Sequence, residues 1–254
     1  MSRPMSDLLP ASDSLGAFLA RTEKRCSKCG VFFSAPLFVL DCEACEAARE
    51  AEQRASAELA ELKASCIPPQ LLWAKPGAPE LRSRAPTAAV NAAVAKLGHL
   101  LEVARDHTSA FRGTPVVLFA GPAGSGKTSI ACSMLRVAIE RIRIGRPAVR
   151  FLGALEAERA MRESRLGTTD PPAIVQATRR PFVLVDDVGQ ESFDAARQAI
   201  KGIIAERHER GRATIVTTGL SRRELSERYG GGFLRRALSG GVILTVPGWG
   251  DYSP

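Results

Sequence analysis

The chain has no apolar run long enough to cross a bilayer: nowhere in its 254 residues do eighteen apolar side chains follow one another, and a spanning helix needs about twenty. Its first twenty residues carry no basic start followed by an apolar stretch, so no secretory leader is indicated. The expectation is a cytoplasmic protein without a membrane partner. Aromatic residues are scarce, at 6% with two Trp and two Tyr, which leaves few platforms on which nucleic-acid bases could stack. The three histidines, His99, His107 and His208, are scattered and form no ligand set. Lysine nearly vanishes beyond residue 100, where only Lys127 and Lys201 remain and arginine carries the rest of the positive charge. There is no internal repeat and no low-complexity tract.

What is present is a 45% hydrophobic composition with a net charge of +8 and a pI near 9.5. The length suits one α/β domain with a small accessory module. The charge suits a polyanionic partner, because neutralising phosphates releases counterions. Arginine excess also follows from GC-rich coding, so charge by itself does not settle the partner.

The organisation follows from composition shifts. Residues 1–65 read as a cysteine-bearing module followed by a helix over Glu43 to Lys63, a stretch rich in Ala, Glu, Arg and Leu without Gly or Pro. Its charged surface predicts a projecting helix. Residues 66–87 contain Pro68, Pro69, Pro76, Pro79 and Pro86, which fix φ and remove backbone donors, and read as a linker. Residues 88–254 form the core. A helix over Ala88 to His107 has Val90, Val94, Leu97, Leu101 and Val103/Ala104 on one side. Five short apolar runs follow, Val116–Ala120, Ala148–Leu152, Phe182–Val185, Thr214–Thr218 and Val242–Val246, each pair separated by a helix-length segment. Runs this continuous, alternating with helices, predict an α/β fold with a five-stranded parallel sheet buried on both faces.

Gly121-Pro122-Ala123-Gly124-Ser125-Gly126-Lys127-Thr128 fits G-x-x-x-x-G-K-[ST] and lies between an apolar strand and a helical run that continues through Ser129. Glycines let such a loop wrap with its amides inward, and the helix N-terminus adds partial positive charge. Gly121 to Ser129 are therefore the expected ATP-binding residues. Lys127 is expected to reach the β- and γ-phosphates and Thr128 to ligate magnesium. The run Phe182 to Val185 ends in Asp186 and Asp187. At the carboxyl end of a parallel strand, Asp186 is placed to hold magnesium and Asp187 to polarise an attacking water. This order of roles rests on sequence position.

Cys26-x-x-Cys29 and Cys42-x-x-Cys45 stand twelve residues apart, a spacing that supplies two thiolate pairs to a tetrahedral zinc. A closed four-sulfur sphere makes the zinc structural, and it gives a short segment folding energy that it cannot obtain from a core. Free or redox-active cysteines and an iron–sulfur cluster are the competing readings. Cys66 and Cys132 lack ligand spacing and read as packed apolar residues.

Taken in order, Ile67-Pro68-Pro69, Gly121 to Thr128, Asp186-Asp187-Val188-Gly189, Glu206-Arg207-His208, Gly211 to Thr218, Glu224-Leu225, Tyr229-Gly230 and Arg235-Arg236-Ala237-Leu238 resemble the DnaC/IstB branch of the AAA+ ATPases, over about residues 67 to 252. The resemblance implies a sheet in the AAA+ order, a homo-oligomeric ring or spiral on ATP, and nucleotide held between subunits. It gives Arg236 the position of an arginine supplied in trans to the neighbouring γ-phosphate, with Arg235 as the adjacent alternative. Two departures are visible. Gly219 stands where the family has a sensor Asn, for which Thr217 or Thr218 is the nearest substitute, and Asp251-Tyr252-Ser253 lacks the terminal sensor arginine. Both predict good ATP binding with slow intrinsic hydrolysis.

The resemblance also implies a function: a helicase loader that holds a replicative DnaB-type helicase through the zinc module and engages single-stranded DNA through the core. The alternative is an IstB-type transposition ATPase acting on duplex DNA with a transposase. A metabolic kinase would need a lid and an acceptor pocket, and the Asp186-Asp187 pair followed by the Thr217-Thr218 strand and Arg236 fits a switch ATPase better. Arg141, Arg143, Arg146 and Arg150, with Arg207, Arg210 and Arg212, are candidate linings of a DNA channel; solvated helix ends are the equal alternative.

Overall fold

A computed structural model describes residues 21–36, 38–105, 116–142, 147–164, 170–249 and 252. His107, Arg143, Arg146, Asp251 and Ser253, singled out above, lie outside this set. The chain divides into two compact units between Ala57 and Glu58.

In the first unit, β1 (Arg21–Arg25) and β2 (Phe32–Pro36) pair antiparallel, with Arg21 opposite Pro36 and Arg25 opposite Phe32. The turn between them closes through Cys26 N donating to the Val31 carbonyl at 2.8 Å and Gly30 N to the Cys26 carbonyl at 3.1 Å. Gly30 takes φ +74 there, a conformation that disfavours any side chain. Helix α1 (Glu43–Ser65) opens with Glu43 and Glu46 in its first turn and has Lys63 in its last, charges that oppose the helix dipole at each end. The unit boundary falls inside this helix.

The second unit begins with the last turns of α1. Glu61 Oε1 accepts the backbone N–H groups of Ala148 and Val149 at 2.7 and 3.0 Å, and Arg136 donates to Glu58 at 3.3 Å. Next come a short 3₁₀ turn at Pro69–Leu71, then α2 (Pro79–Arg84) and α3 (Thr87–Arg105). The chain then alternates: β3 (Val116–Ala120), α4 (Lys127–Arg141), β4 (Val149–Gly153), α5 (Ala154–Glu163), α6 (Pro172–Arg179), β5 (Phe182–Val188), α7 (Asp194–Glu209), β6 (Ala213–Thr218), α8 (Arg222–Tyr229), α9 (Gly231–Ala237) and β7 (Val242–Leu244). The sheet order is β4-β5-β6-β3-β7 and every pairing is parallel. The five expected strands are all present.

Strand period two splits the core. Val117 and Phe119 join the cluster with Leu100, Ile130 and Leu135, beneath α3 and α4. Val116, Leu118 and Ala120 join Ile200, Ile203 and Leu225 on the other face. Burial on both faces explains why the runs read as continuous. The strands' carboxyl ends meet at one edge, which sets the place of the site.

Several sequence expectations are corrected. The proline-rich stretch does not hang free: Ile67, Ala74, Leu81 and Ala85 are buried in the core cluster. Its prolines start helical turns, since Pro69 and Pro79 sit at first positions where no N–H is needed. On α3, Val94 is 66% exposed and the buried face is Ala89, Ala93, Leu100, Val103 and Ala104; small residues let the helix lie close to its neighbours. Cys132 is buried, but Cys66 is exposed at a φ of +57 just beyond α1. Two candidate DNA-channel arginines are interior. Arg150 is paired with Glu156, and Arg207, fully buried, donates to the carbonyls of Ala177, Thr178, Arg180, Pro181 and Ala213 and to Thr214 Oγ1.

Arg207 thus satisfies the carbonyls at the base of the sheet, a role that needs a planar five-donor group. Arg207→Met leaves those acceptors without donors and is expected to lower the unfolding free energy by about 3 kcal/mol or more, read from the urea midpoint. A loss below about 1 kcal/mol would mean that water replaces the guanidinium.

Candidate nucleotide site and cysteine cluster

The loop from Gly121 to Gly126 joins the end of β3 to the start of α4. Gly124 and Gly126 have φ of +77 and +84, so side chains there would be strained. Space is also short. A Cβ on Gly126 would meet the Arg84 carbonyl at 2.6 Å, and one on Gly121 would meet Thr245 Oγ1 at 2.0 Å. Thr245 follows β7, fully buried, and its hydroxyl lies 2.5 Å from Ser125 Oγ. Ser125 donates to the Pro122 carbonyl at 2.8 Å, and so does Lys127 Nζ, also at 2.8 Å. The loop is therefore held in a wrapped shape by its own carbonyl and by the last strand. Burial weakens the Lys127 ammonium, while Asp187 and Asp186 strengthen it.

At the neighbouring strand end, Asp186 Oδ1 accepts Thr128 Oγ1 at 2.9 Å and Thr217 Oγ1 at 2.6 Å. Burial, reinforced by Asp187, pushes its carboxyl up to about 6, against the pull of the two hydroxyls and Lys127. Asp187 is exposed, has φ +53, and its N–H donates to Thr217 Oγ1 at 2.8 Å. Such a backbone costs a non-glycine residue about 1 kcal/mol or more, so hydrogen bonds must hold it. A cleft of about 300 Å³ lies over these groups, lined by Gly124, Lys127, Thr128, Ser129, Asp187 and Gly219 among others. Its size suits a small ligand, and its walls offer an ammonium, hydroxyls and a helix N-terminus to an anion.

The structure thus brings together Gly121, Pro122, Ala123, Gly124, Ser125, Gly126, Lys127, Thr128 and Ser129 with Asp186 and Asp187. Arg236 stands elsewhere, on α9, donating to Glu209 at 3.3 Å and to the Gly232 carbonyl at 3.2 Å, while Arg235 is exposed. Gly219 leaves open space, since its nearest neighbour for a Cβ is the Gly121 carbonyl at 3.9 Å. Of the two threonines proposed as substitutes, Thr217 contacts both aspartates, whereas Thr218 donates to the Val188 carbonyl at 2.7 Å. Tyr252, near the absent sensor arginine, is nearly buried and donates to the Leu220 carbonyl. Sequence reading missed Arg84, Gln190 and Thr245 at this site. No local motif marks them: Arg84 ends α2, Gln190 lies in the turn after Asp187, and Thr245 follows the last strand.

In the first unit, the sulfurs of Cys26, Cys29, Cys42 and Cys45 all lie within 4.8 Å of one another, and Cys29 and Cys42 are 3.6 Å apart. A zinc–sulfur bond of about 2.3 Å puts tetrahedral thiolates about 3.8 Å apart, so the donor set fits that ion. Backbone N–H groups of Cys29 and Cys42 hold the Cys26 thiol down at about 6, while the surrounding sulfurs, Cys29 first, push Cys45 up to about 12. Four crowded sulfurs that cannot all ionise alone are a site made for a cation.

A P-loop, an adjacent aspartate-tipped strand and this sheet order define an AAA+-type ATP-binding protein. The model for the IstB-like ATP binding protein family matches residues 107–242, more than half of the sequence, and the chain belongs to that family. Among solved structures, the DnaC helicase loader is similar with a TM-score of 0.51 at 19% identity, covering 70% of this chain and 100% of that one. DnaI is similar with a TM-score of 0.54 at 14% identity, covering 71% and 95%. The replication initiator DnaA bound to AMPPCP and single-stranded DNA gives 0.52 at 16% identity, covering 66% and 50%. No curated protein matches the chain in sequence.

Two outcomes test the geometry. Gly121→Ala is expected to weaken ATP binding at least tenfold by driving Thr245 off the loop, with partial recovery in Gly121→Ala/Thr245→Ala, measured by fluorescent-nucleotide titration. Equal binding by the single variant and the wild type would contradict the close approach. The raised Asp186 carboxyl carries a sign: the folded state holds this proton more tightly than the unfolded chain, so its contribution to stability is present at low pH. That contribution is lost as pH rises through about 6. Asp186→Asn should therefore stabilise the nucleotide-free protein at pH 8, by on the order of 2 kcal/mol, while removing magnesium-dependent ATP binding. A destabilised variant at pH 8 would contradict the burial argument.

Proposed function

We propose that the chain is a slow ATP-hydrolysing switch of the helicase-loader type. The observation that carries the reading is the Thr128–Asp186–Thr217 arrangement at the mouth of the P-loop, joined in one chain to a four-cysteine module. In this reading the amides of Gly121 to Gly126 and the ammonium of Lys127 bind the ATP phosphates, and Ser129 lies at the edge of the pocket. Thr128 and Asp186 would hold magnesium, which would supply neutralisation of the phosphate charge. Asp187, exposed to the cleft, orients and takes a proton from the attacking water. Thr217 keeps the two aspartates in register. Arg236 leaves Glu209 to reach the nucleotide of the next subunit, where its planar guanidinium meets several phosphate oxygens at once.

ATP then favours a homo-oligomer, a ring or spiral, because each site is finished by its neighbour. The four cysteines hold a structural zinc. The module around it docks on a DnaB-type replicative helicase, and the assembled core grips single-stranded DNA in the cytoplasm. The similarity in fold to the DnaC helicase loader and DnaI supports this choice. Without the sensor Asn at Gly219, hydrolysis by the isolated protein should be slow, and turnover at rates of tens per second, within the ordinary enzyme range, would contradict it. The second reading is an IstB-type ATPase acting on duplex DNA with a transposase; the family to which the chain belongs is described as IstB-like ATP binding proteins.

The two separate in one capture experiment, with the host's replicative helicase as prey and the intact chain as bait, with and without ATP. ATP-responsive capture that is lost in Cys26→Ser/Cys29→Ser supports the loader. No capture, together with ATP-dependent filaments on duplex DNA, turns the assignment to transposition.

A further inference from the structure

Glu191 is a fully buried carboxylate that the proposed chemistry does not use. It follows Asp187 by four positions and looks in two directions. Toward the nucleotide side, its Oε2 accepts the Gly189 N–H at 3.0 Å. Gly189 has φ +110, and the turn it belongs to is closed by Gln190 N donating to the Asp187 carbonyl at 3.1 Å. Away from it, Oε1 accepts Arg228 Nε at 3.1 Å and the Tyr229 hydroxyl, and the Glu191 carbonyl accepts a second Arg228 donor. Arg228 and Tyr229 are the last residues of α8. The Tyr229 ring stacks on Phe233 of α9 with centroids 4.5 Å apart and 22° between planes. Gly230, between the two helices, has φ +85, and Arg235 and Arg236 occupy the last turn of α9.

The connection is short and continuous. A carboxylate buried with a guanidinium and a phenol is costly to leave half-made, so the loop after Asp187 and the end of α8 move together or the cluster breaks. The left-handed Asp187 backbone is a local strain that something must hold. Thr217 holds one side of it through the N–H, and the Glu191-bound turn holds the other.

We propose that Glu191 is a positioning residue that couples the Asp187 loop of one subunit to the arginine which that subunit offers to its neighbour. This rests on the trans role given to Arg236 above. Loss of the γ-phosphate relaxes the Asp187 turn, and the Glu191–Arg228–Tyr229 cluster passes the shift through Phe233 to α9. Coupling of this kind needs an element biased from both ends, and in this proposal that element is the α8–α9 junction at Gly230.

The test uses full-length Glu191→Gln and Tyr229→Phe, which keep volume and remove the charge or the hydroxyl alone. Each is expected to have a lowered thermal midpoint but to stay folded at the assay temperature and bind fluorescent ATP within about twofold of wild type, yet to lose at least tenfold in kcat with little change in KM. The decisive readout is doping of Glu191→Gln into wild-type oligomers. A residue that governs its own site and its neighbour's silences both, so activity falls roughly as the square of the wild-type fraction. Asp187→Asn serves as the control for a purely local defect and falls linearly. A linear fall for Glu191→Gln, or unaltered kcat in both variants, overturns the coupling while leaving the ATPase reading intact. Absence of ATP-dependent assembly in the wild type overturns the reading and the coupling together.

Discussion

Everything at the nucleotide site turns on one buried carboxylate. Asp186 is drawn out of water at the end of a central strand, where ionisation is opposed by the low dielectric and by Asp187 beside it. Two threonine hydroxyls and an ammonium face it, which is too little to compensate a charge in the absence of a cation. The site is thus built with a deficit of positive charge on one side and a surplus of anion-binding groups on the other. In the proposed function, a divalent cation carried by a phosphate chain would answer both at once.

The rest of the second unit can be understood as support for that arrangement. Parallel strands put β3, β5 and β6 ends on one edge, so Thr128, Asp186 and Thr217 meet although they are far apart in sequence. β7 adds Thr245, which braces the loop from the other side and makes Gly121 obligatory. The proline-rich stretch before α3 closes the remaining wall, with the Arg84 carbonyl against Gly126. Its prolines and small buried residues are a packing requirement rather than a tether. Arg207 does the same service elsewhere, donating with one side chain to carbonyls at the end of α6, in the turn after it and at the start of β6.

Much of this was legible beforehand, for reasons that differ by residue. The five strands announced themselves because burial on both faces favours runs of apolar side chains, and the P-loop did so because its glycines and Lys127 are dictated by phosphate geometry. The cysteines were legible through ligand spacing. What escaped notice depends on partners distant in sequence. Nothing local says that Arg207 is interior, because arginine is normally a surface residue and only the ring of carbonyls accounts for it. Val94 reads as core until the helix is seen to pack through Ala89 and Ala93. Cys66 reads as apolar until the left-handed exit from α1 turns it outward. Thr245 is an ordinary residue just past the last strand until the sheet order brings it to the P-loop.

The most direct test of the central claim is a crystal structure of the chain with a non-hydrolysable ATP analogue and magnesium. The account predicts the β- and γ-phosphates wrapped by residues 121–127, with the cation on Thr128 Oγ1 and Asp186 reached directly or through one water. A structure with the analogue bound and the cation away from both Thr128 Oγ1 and Asp186 would contradict it.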